Sequence, residues 1–173
     1  MLFIITKRTD CICMERVNRL INDEDYIRLS DRIKQAEQNR KFCRHGLSHS
    51  LDVARICYIL NLEENLGIKK DVIYACALVH DLGRACEYES GESHHEAGSR
   101  IAAGLLQRAG FDEEEMSLMS EAVSMHKEIS DAAANKLAVI LCRADKLSRM
   151  CFDCEACEEC YWKEEKKNKG VLL

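Results

Sequence analysis

The 173-residue chain contains no proline and only eight glycines, although average usage of proline is about 5%. A chain with so few breakers has little material for tight turns and hairpins, and much for helices. The pattern predicts an all-α fold, with helices over residues 11–21, 24–39, 47–66, 70–81, 93–109, 112–127 and 131–150. Residues 84–93 read as a loop carrying the Ser90-Gly91 turn signal. Asp112 with Glu115 three positions on resembles a capping box, and Ser130 or Asp131 is placed to cap the long helix that follows. Residues 72–80 form the longest stretch without a charged side chain. That is far below the roughly 18 apolar residues needed to cross a bilayer.

Lys7 and Arg8 follow at once on the short apolar run Leu2 to Ile5, so no secretory leader is expected and a cytoplasmic protein is. The formal net charge of −5 argues against a general nucleic-acid or anionic-membrane binder. Length and the absence of linkers fit one domain with small appendages. The expected division is N-terminal helices over residues 1–42, a core domain over 43–150 and a Cys-rich tail over 151–173. The Glu/Lys run ending that tail reads as a solvated helix face or a frayed end. Nothing in the composition fixes the oligomeric state.

Histidines and aspartates fall where burial is expected. His45 and His49 are four apart and face the same way on a helix. His80-Asp81 closes the apolar run, His94 continues the stripe Gly98, Ile101, Leu105, His126 continues Met116, Met119, Val123, and Asp145 follows Leu137, Ile140, Leu141, Ala144. One buried polar group is ordinarily a hydrogen-bonded core residue. Five helices each delivering one are explained together by a shared metal, because burying an imidazole or carboxylate is costly unless it is paired or ligated. Imidazoles with carboxylates suit Fe, Mn, Zn, Co or Ni.

In this order and spacing the residues resemble the HD-domain metal-dependent phosphohydrolases. The motifs are His49 in His-Ser-Leu-Asp-Val-Ala, His80-Asp81 in His-Asp-Leu-Gly-Arg, and Asp145 in Ala-Asp-Lys. The resemblance implies a helical bundle with a metal centre between core helices. It implies His49, His80, Asp81 and Asp145 as ligands of a first divalent ion. Asp81 would bridge to a second ion held by His94 and His126. His94 is preferred to its neighbour His95 for its four-residue distance to Gly98. Cyclic-nucleotide phosphodiesterases, related to this superfamily, carry a His four residues before the first ligand as a proton donor; His45 matches that position. Arg84 and Lys127, with Arg44 and Lys146, are candidates to hold phosphate oxygens. The implied activity is hydrolysis of a small phosphorylated substrate, a nucleotide being favoured, through metal-activated water. The same ligand types also serve dinuclear-iron oxygenases of HD type, and a non-catalytic metal or redox sensor is a third reading.

Eleven cysteines are an unusual number. Cys57, Cys76 and Cys142 sit in apolar runs and read as core. Cys151, Cys154, Cys157 and Cys160 form C-x2-C-x2-C-x2-C, close to a ferredoxin run but with a shorter last interval and no proline. On a continuous α-helix each would turn by about 60° from the last, so four could not meet at one ion. A Zn or Fe–S site using three or four of these, with Cys11 or Cys13 as a further ligand, a redox or metal-acquisition tail, and inert thiols all stay open.

Overall fold

A computed structural model describes residues 14–125 and 134–173. Among these residues there are eight α-helices and no strand. They are α1 (Glu15–Ile21), α2 (Glu24–Ala36), α3 (Leu47–Glu63), α4 (Lys70–Val79), α5 (Arg84–Ser90), α6 (His94–Ala109), α7 (Glu113–Met125) and α8 (Lys136–Leu147). None is long and apolar enough to cross a membrane.

The centre of the bundle is α4, the helix with the least polar sequence. Val72, Ile73 and every residue from Ala75 to Val79 are buried. It packs against α1, α3, α6 and α7, while α3 and α7 each also pack on α8. A helix apolar on all sides must be enclosed on all sides. Cys57, Cys76 and Cys142 are buried in this core, as their apolar settings predict.

The expected capping box forms. Glu115 N–H donates to Asp112 Oδ1 at 2.8 Å, and Asp112 N–H to Glu115 Oε2 at 3.3 Å. Glu115 does more than cap. Its carboxylate accepts from Arg16 Nη2 at 3.2 Å and Lys69 Nζ at 2.8 Å, and Arg16 Nε also reaches Asp71 Oδ2 at 2.8 Å. One carboxylate therefore ties α1, the start of α4 and α7 together.

Three expectations are corrected. Residues 84–90 form α5, where a loop was expected; Arg84 pairs at i,i+3 with Glu87 and Ala85 is buried, which holds the short helix. The long C-terminal helix starts at Lys136 and is capped by Asn135, whose side chain accepts from Ala138 N–H at 3.0 Å. Ser130 and Asp131 lie outside the described residues. The Glu/Lys run forms no α-helix face but a short 3-10 turn at Glu164–Lys166, which with a second 3-10 turn at Cys151–Asp153 belongs to a turn-rich path tied to the domain by Asn168.

The start of α5 meets the start of α6 with no room to spare. A Cβ on Gly83 would lie 2.0 Å from the His94 carbonyl oxygen and 2.5 Å from Gly98 N. Gly83→Ala is expected to destabilise the fold by about 3 kcal/mol, since both obstacles are backbone; denaturant unfolding measures it. Glu115 is held down to about 2, from 4.5, by hydrogen bonds from Arg16, which outweigh burial, and then by Lys69. Its contribution is complete above its ordinary value and is lost as pH falls toward 2. Glu115→Gln should therefore cost about 1–3 kcal/mol at neutral pH, with the gap to wild type closing on acidification.

Candidate metal centre

The end of α4 carries the site. His80 and Asp81 continue directly from Val79 and are buried. His49 reaches them from the first turn of α3, and Asp145 from the last turn of α8. His49 Nε2 lies 3.5 Å from Asp81 Oδ2 and 3.3 Å from Asp145 Oδ1, and His80 Nε2 lies 3.1 Å from Asp81 Oδ2. Among the described residues, His49, His80 and Asp81 are the group whose ligand atoms all fall within 4.8 Å of one another.

Hydrogen bonds fix which ring nitrogen each histidine presents. His80 Nδ1 is 2.6 Å from the Ala77 carbonyl, which can only accept, so Nδ1 carries the proton and Nε2 is the ligand nitrogen. Ser148 Oγ donates to the Asp145 carbonyl at 2.8 Å, so it can only accept from His49 Nδ1 at 3.4 Å. His49 thus also presents Nε2. Both His49 Nε2 and Asp81 Oδ2 are buried without a hydrogen bond of sound geometry. Buried polar atoms left this way are costly unless something else satisfies them. Two imidazole nitrogens and one carboxylate oxygen, with Asp145 adjacent, form a donor set that fits a divalent transition-metal ion.

Charge follows the same logic. Burial opposes ionisation of His49, but the carboxylates of Asp145 and Asp81 raise its pKa to about 9. Burial opposes Asp145 in turn, and His49 and His80 bring it down to about 2. Asp81 is likewise lowered against its own burial by His80 and His49. In the absence of a cation, protons on the imidazoles balance the two carboxylates.

Arg84 Nε donates to Asp81 Oδ1 at 2.8 Å. The arginine expected to bind phosphate is therefore also the partner of a ligand carboxylate. Asp81 thus turns Oδ2 toward the two histidines and Oδ1 toward Arg84. His94 opens α6 with Nδ1 2.8 Å from Glu87 Oε1, and its ring lies 3.8 Å from that of His95. His126 and Lys127 lie outside the described residues.

His45 is built into a network that the sequence did not disclose. Its Nδ1 lies 2.5 Å from Glu37 Oε1, its backbone N–H donates to Glu37 Oε2 at 2.7 Å, and Tyr88 OH donates to Glu37 Oε1 at 2.6 Å. Glu37 is buried, which would raise its pKa, yet His45 and Tyr88 bring it to about 2. The ionised carboxylate can only accept, so His45 carries its proton on Nδ1. The His45 and His49 rings meet edge to face with centroids 5.6 Å apart.

A cavity of about 470 Å³ opens beside these residues, lined by His45, His49, His94, His95, Arg84 and Asp145 among others. The HD domain family model matches residues 46–150.

The chain belongs to the HD domain family.

This HD domain is 41% identical over 155 residues to an uncharacterized protein of Clostridium beijerinckii, a match covering 90% of this chain and 97% of that protein. It is 32% identical over 124 residues to Ribonuclease Y of Pelobacter propionicus, covering 72% of this chain and 21% of the relative. Over 102 residues it is 30% identical to Ribonuclease Y of Enterococcus faecalis, covering 59% and 18%. The chain thus spans about a fifth of the Ribonuclease Y proteins that it matches. No solved structure matches it.

His49→Ala and His80→Ala should each lose bound divalent metal by elemental analysis after dialysis while keeping their helicity by circular dichroism. Full metal content in both variants would remove the centre from this place in the fold.

Proposed function

We propose that this HD domain hydrolyses a phosphoester of a nucleotide or another small phosphorylated metabolite, with a divalent ion held by His49, His80, Asp81 and Asp145. The observation that carries the reading is the convergence of the His49, His80 and Asp81 ligand atoms next to a cavity that His49 and Asp145 line and whose lining is basic. That lining holds seven Arg and Lys side chains against three Asp, in a chain whose net charge is −5. Its volume of about 470 Å³ falls in the range of roughly 300–1,000 Å³ usual for small-molecule sites. A phosphoester is also the bond class that the name Ribonuclease Y implies for its relatives.

A bound divalent ion supplies a water of lowered pKa and a Lewis acid toward the phosphoryl group. His49 and His80 hold their Nε2 lone pairs in place through Nδ1–H bonds. Arg84, with Arg44 and Lys146 on the cavity wall, offsets negative charge on the phosphoryl oxygens. His45 delivers a proton to the leaving oxygen from Nε2, because Nδ1 is committed to Glu37. Glu37 is the positioning residue for that step, and Tyr88 holds Glu37.

Anaerobically purified protein should release phosphate from at least one member of a nucleotide and sugar-phosphate panel. Chelation should abolish the release and one divalent metal should restore it. Glu37→Gln should lower kcat by about 10- to 100-fold, less than the roughly 10²–10⁴-fold contributed by a general acid itself because Glu37 only positions it, with KM nearly unchanged and the alkaline limb of the pH profile displaced. Oxygen consumption without phosphate release would replace this reading with the dinuclear-iron oxygenase.

A further inference from the structure

The cavity has a second wall of soft ligands that the proposed hydrolysis does not use. Cys43, Cys151, Cys154, Cys157 and Cys160 all line it, and all five are free thiols. Cys43 comes from the segment ahead of α3, the others from the tail after α8.

The tail cysteines recur every third residue, a spacing that would scatter them around an α-helix. The tail takes another path. Cys154 N–H donates to the Cys151 carbonyl at 3.4 Å, Cys157 to Cys154 at 3.0 Å and Cys160 to Cys157 at 3.2 Å. The 3-10 turn ends at Asp153 and Cys154 is extended, so the path is a series of separate turns and not one helix. Along this path all four tail thiols reach the lining of one cavity.

Ordering of the tail owes little to apolar burial. Between residues 151 and 173 the buried apolar residues are Cys151 and Ala156, while Phe152 and Tyr161 are exposed. Polar ties hold the remainder. Asn168 Nδ2 donates to the Lys146 and Arg149 carbonyls, each at 2.8 Å, and Lys167 Nζ to the Cys157 carbonyl at 2.8 Å. Thiolate ligation is strong enough to order such a segment.

The thiols also feel one another. Desolvation at the cavity wall raises the Cys43 pKa, and Cys151, Cys154 and Cys160 raise it further. Ligation relieves such crowding, because a coordinating thiol is deprotonated outright. A single zinc ion binds sulfur at about 2.3 Å, which keeps its ligands within about 4.6 Å of one another. Among the described residues no three of these thiols come within 4.8 Å of each other. An iron–sulfur cluster takes four thiolates around a larger inorganic core.

We propose that four of the five thiols Cys43, Cys151, Cys154, Cys157 and Cys160 bind an iron–sulfur cluster in the cavity that His49 also lines. The proposal does not depend on the hydrolytic reading.

The test reconstitutes the full chain anaerobically with ferrous iron and inorganic sulfide, then removes excess reagent. Wild type should retain iron with acid-labile sulfide and show a broad visible charge-transfer absorption. The variant with all five cysteines replaced by serine should lose the labile sulfide, and among the single serine variants four should lose most of it and one should keep it. His80→Ala should keep the labile sulfide while losing the other metal, which separates this site from the hydrolytic one. Wild type that retains no labile sulfide, or that binds only zinc at the thiols, overturns the proposal without recourse to any variant. Labile sulfide retained by the five-serine variant overturns the proposal as well.

Discussion

The buried carboxylate of Asp81 is the interaction on which the rest of the site depends. It stands at the end of the most apolar helix, where a lone negative charge would be prohibitive. Its two oxygens divide the compensation. Oδ1 accepts from Arg84 Nε at 2.8 Å, and Oδ2 faces His80 at 3.1 Å and His49 at 3.5 Å. The end of α4, the start of α5 and the start of α3 are thereby set against one another. The same carboxylate makes a cation and protons competitors. His49 is raised to about 9 and Asp145 lowered to about 2 when imidazolium provides the positive charge. A divalent ion takes over that charge only by displacing protons, so metal affinity must rise with pH.

A second layer explains why the N-terminal helices matter to the centre. Glu37 follows directly on α2, ahead of the residues matched by the family model, yet it holds His45 by both backbone and ring. Tyr88 on α5 completes the arrangement. At the other end of the bundle, Arg16 of α1 joins Glu115 and Asp71. The N-terminal helices are thus coupled to the core by ion pairs as well as by the apolar faces of Leu20, Leu29 and Ile33.

The parts legible in the sequence are those with a local cause. The apolar run of α4 dictates a central helix, and His80-Asp81 inherits its burial from that run. Asp112 and Glu115 announce a helix start through spacing alone. The four-residue step from His94 to Gly98 is legible as a motif, and its physical reason is the contact of Gly83 with this turn. What stayed hidden depends on partners distant in the chain. Glu37 reads as one more charge on an exposed helix, because its burial is set by Tyr88, 51 positions later. Arg84 through Ser90 is too short and polar for a period to emerge, and its stability comes from pairing with Asp81 and Glu87. The cap at Asn135 competes in the sequence with Ser130 and Asp131, and its side chain is settled by α7, through Leu118 and Glu121.

The tail shows how a sound local argument can start from the wrong geometry. A three-residue repeat has no common face on an α-helix, and that conclusion holds for any α-helix. The chain after α8 escapes it because Asn168 binds the carbonyls of Lys146, Leu147 and Arg149, satisfying the end of the helix with a side chain from the tail itself. Lys41 meets Glu159 at 2.5 Å and Phe42 meets Tyr161 edge to face at 6.1 Å, so the returning chain is drawn over the segment that leads into α3. The basic side chains of both segments then converge on one cavity. An acidic protein that concentrates its Arg and Lys there creates a local field opposite to its net charge, and within a Debye length of about 8 Å that local field governs what enters. On the hydrolytic reading proposed above, an anion of modest size is the solute such a field would favour, and His49 and Asp145 line the same cavity.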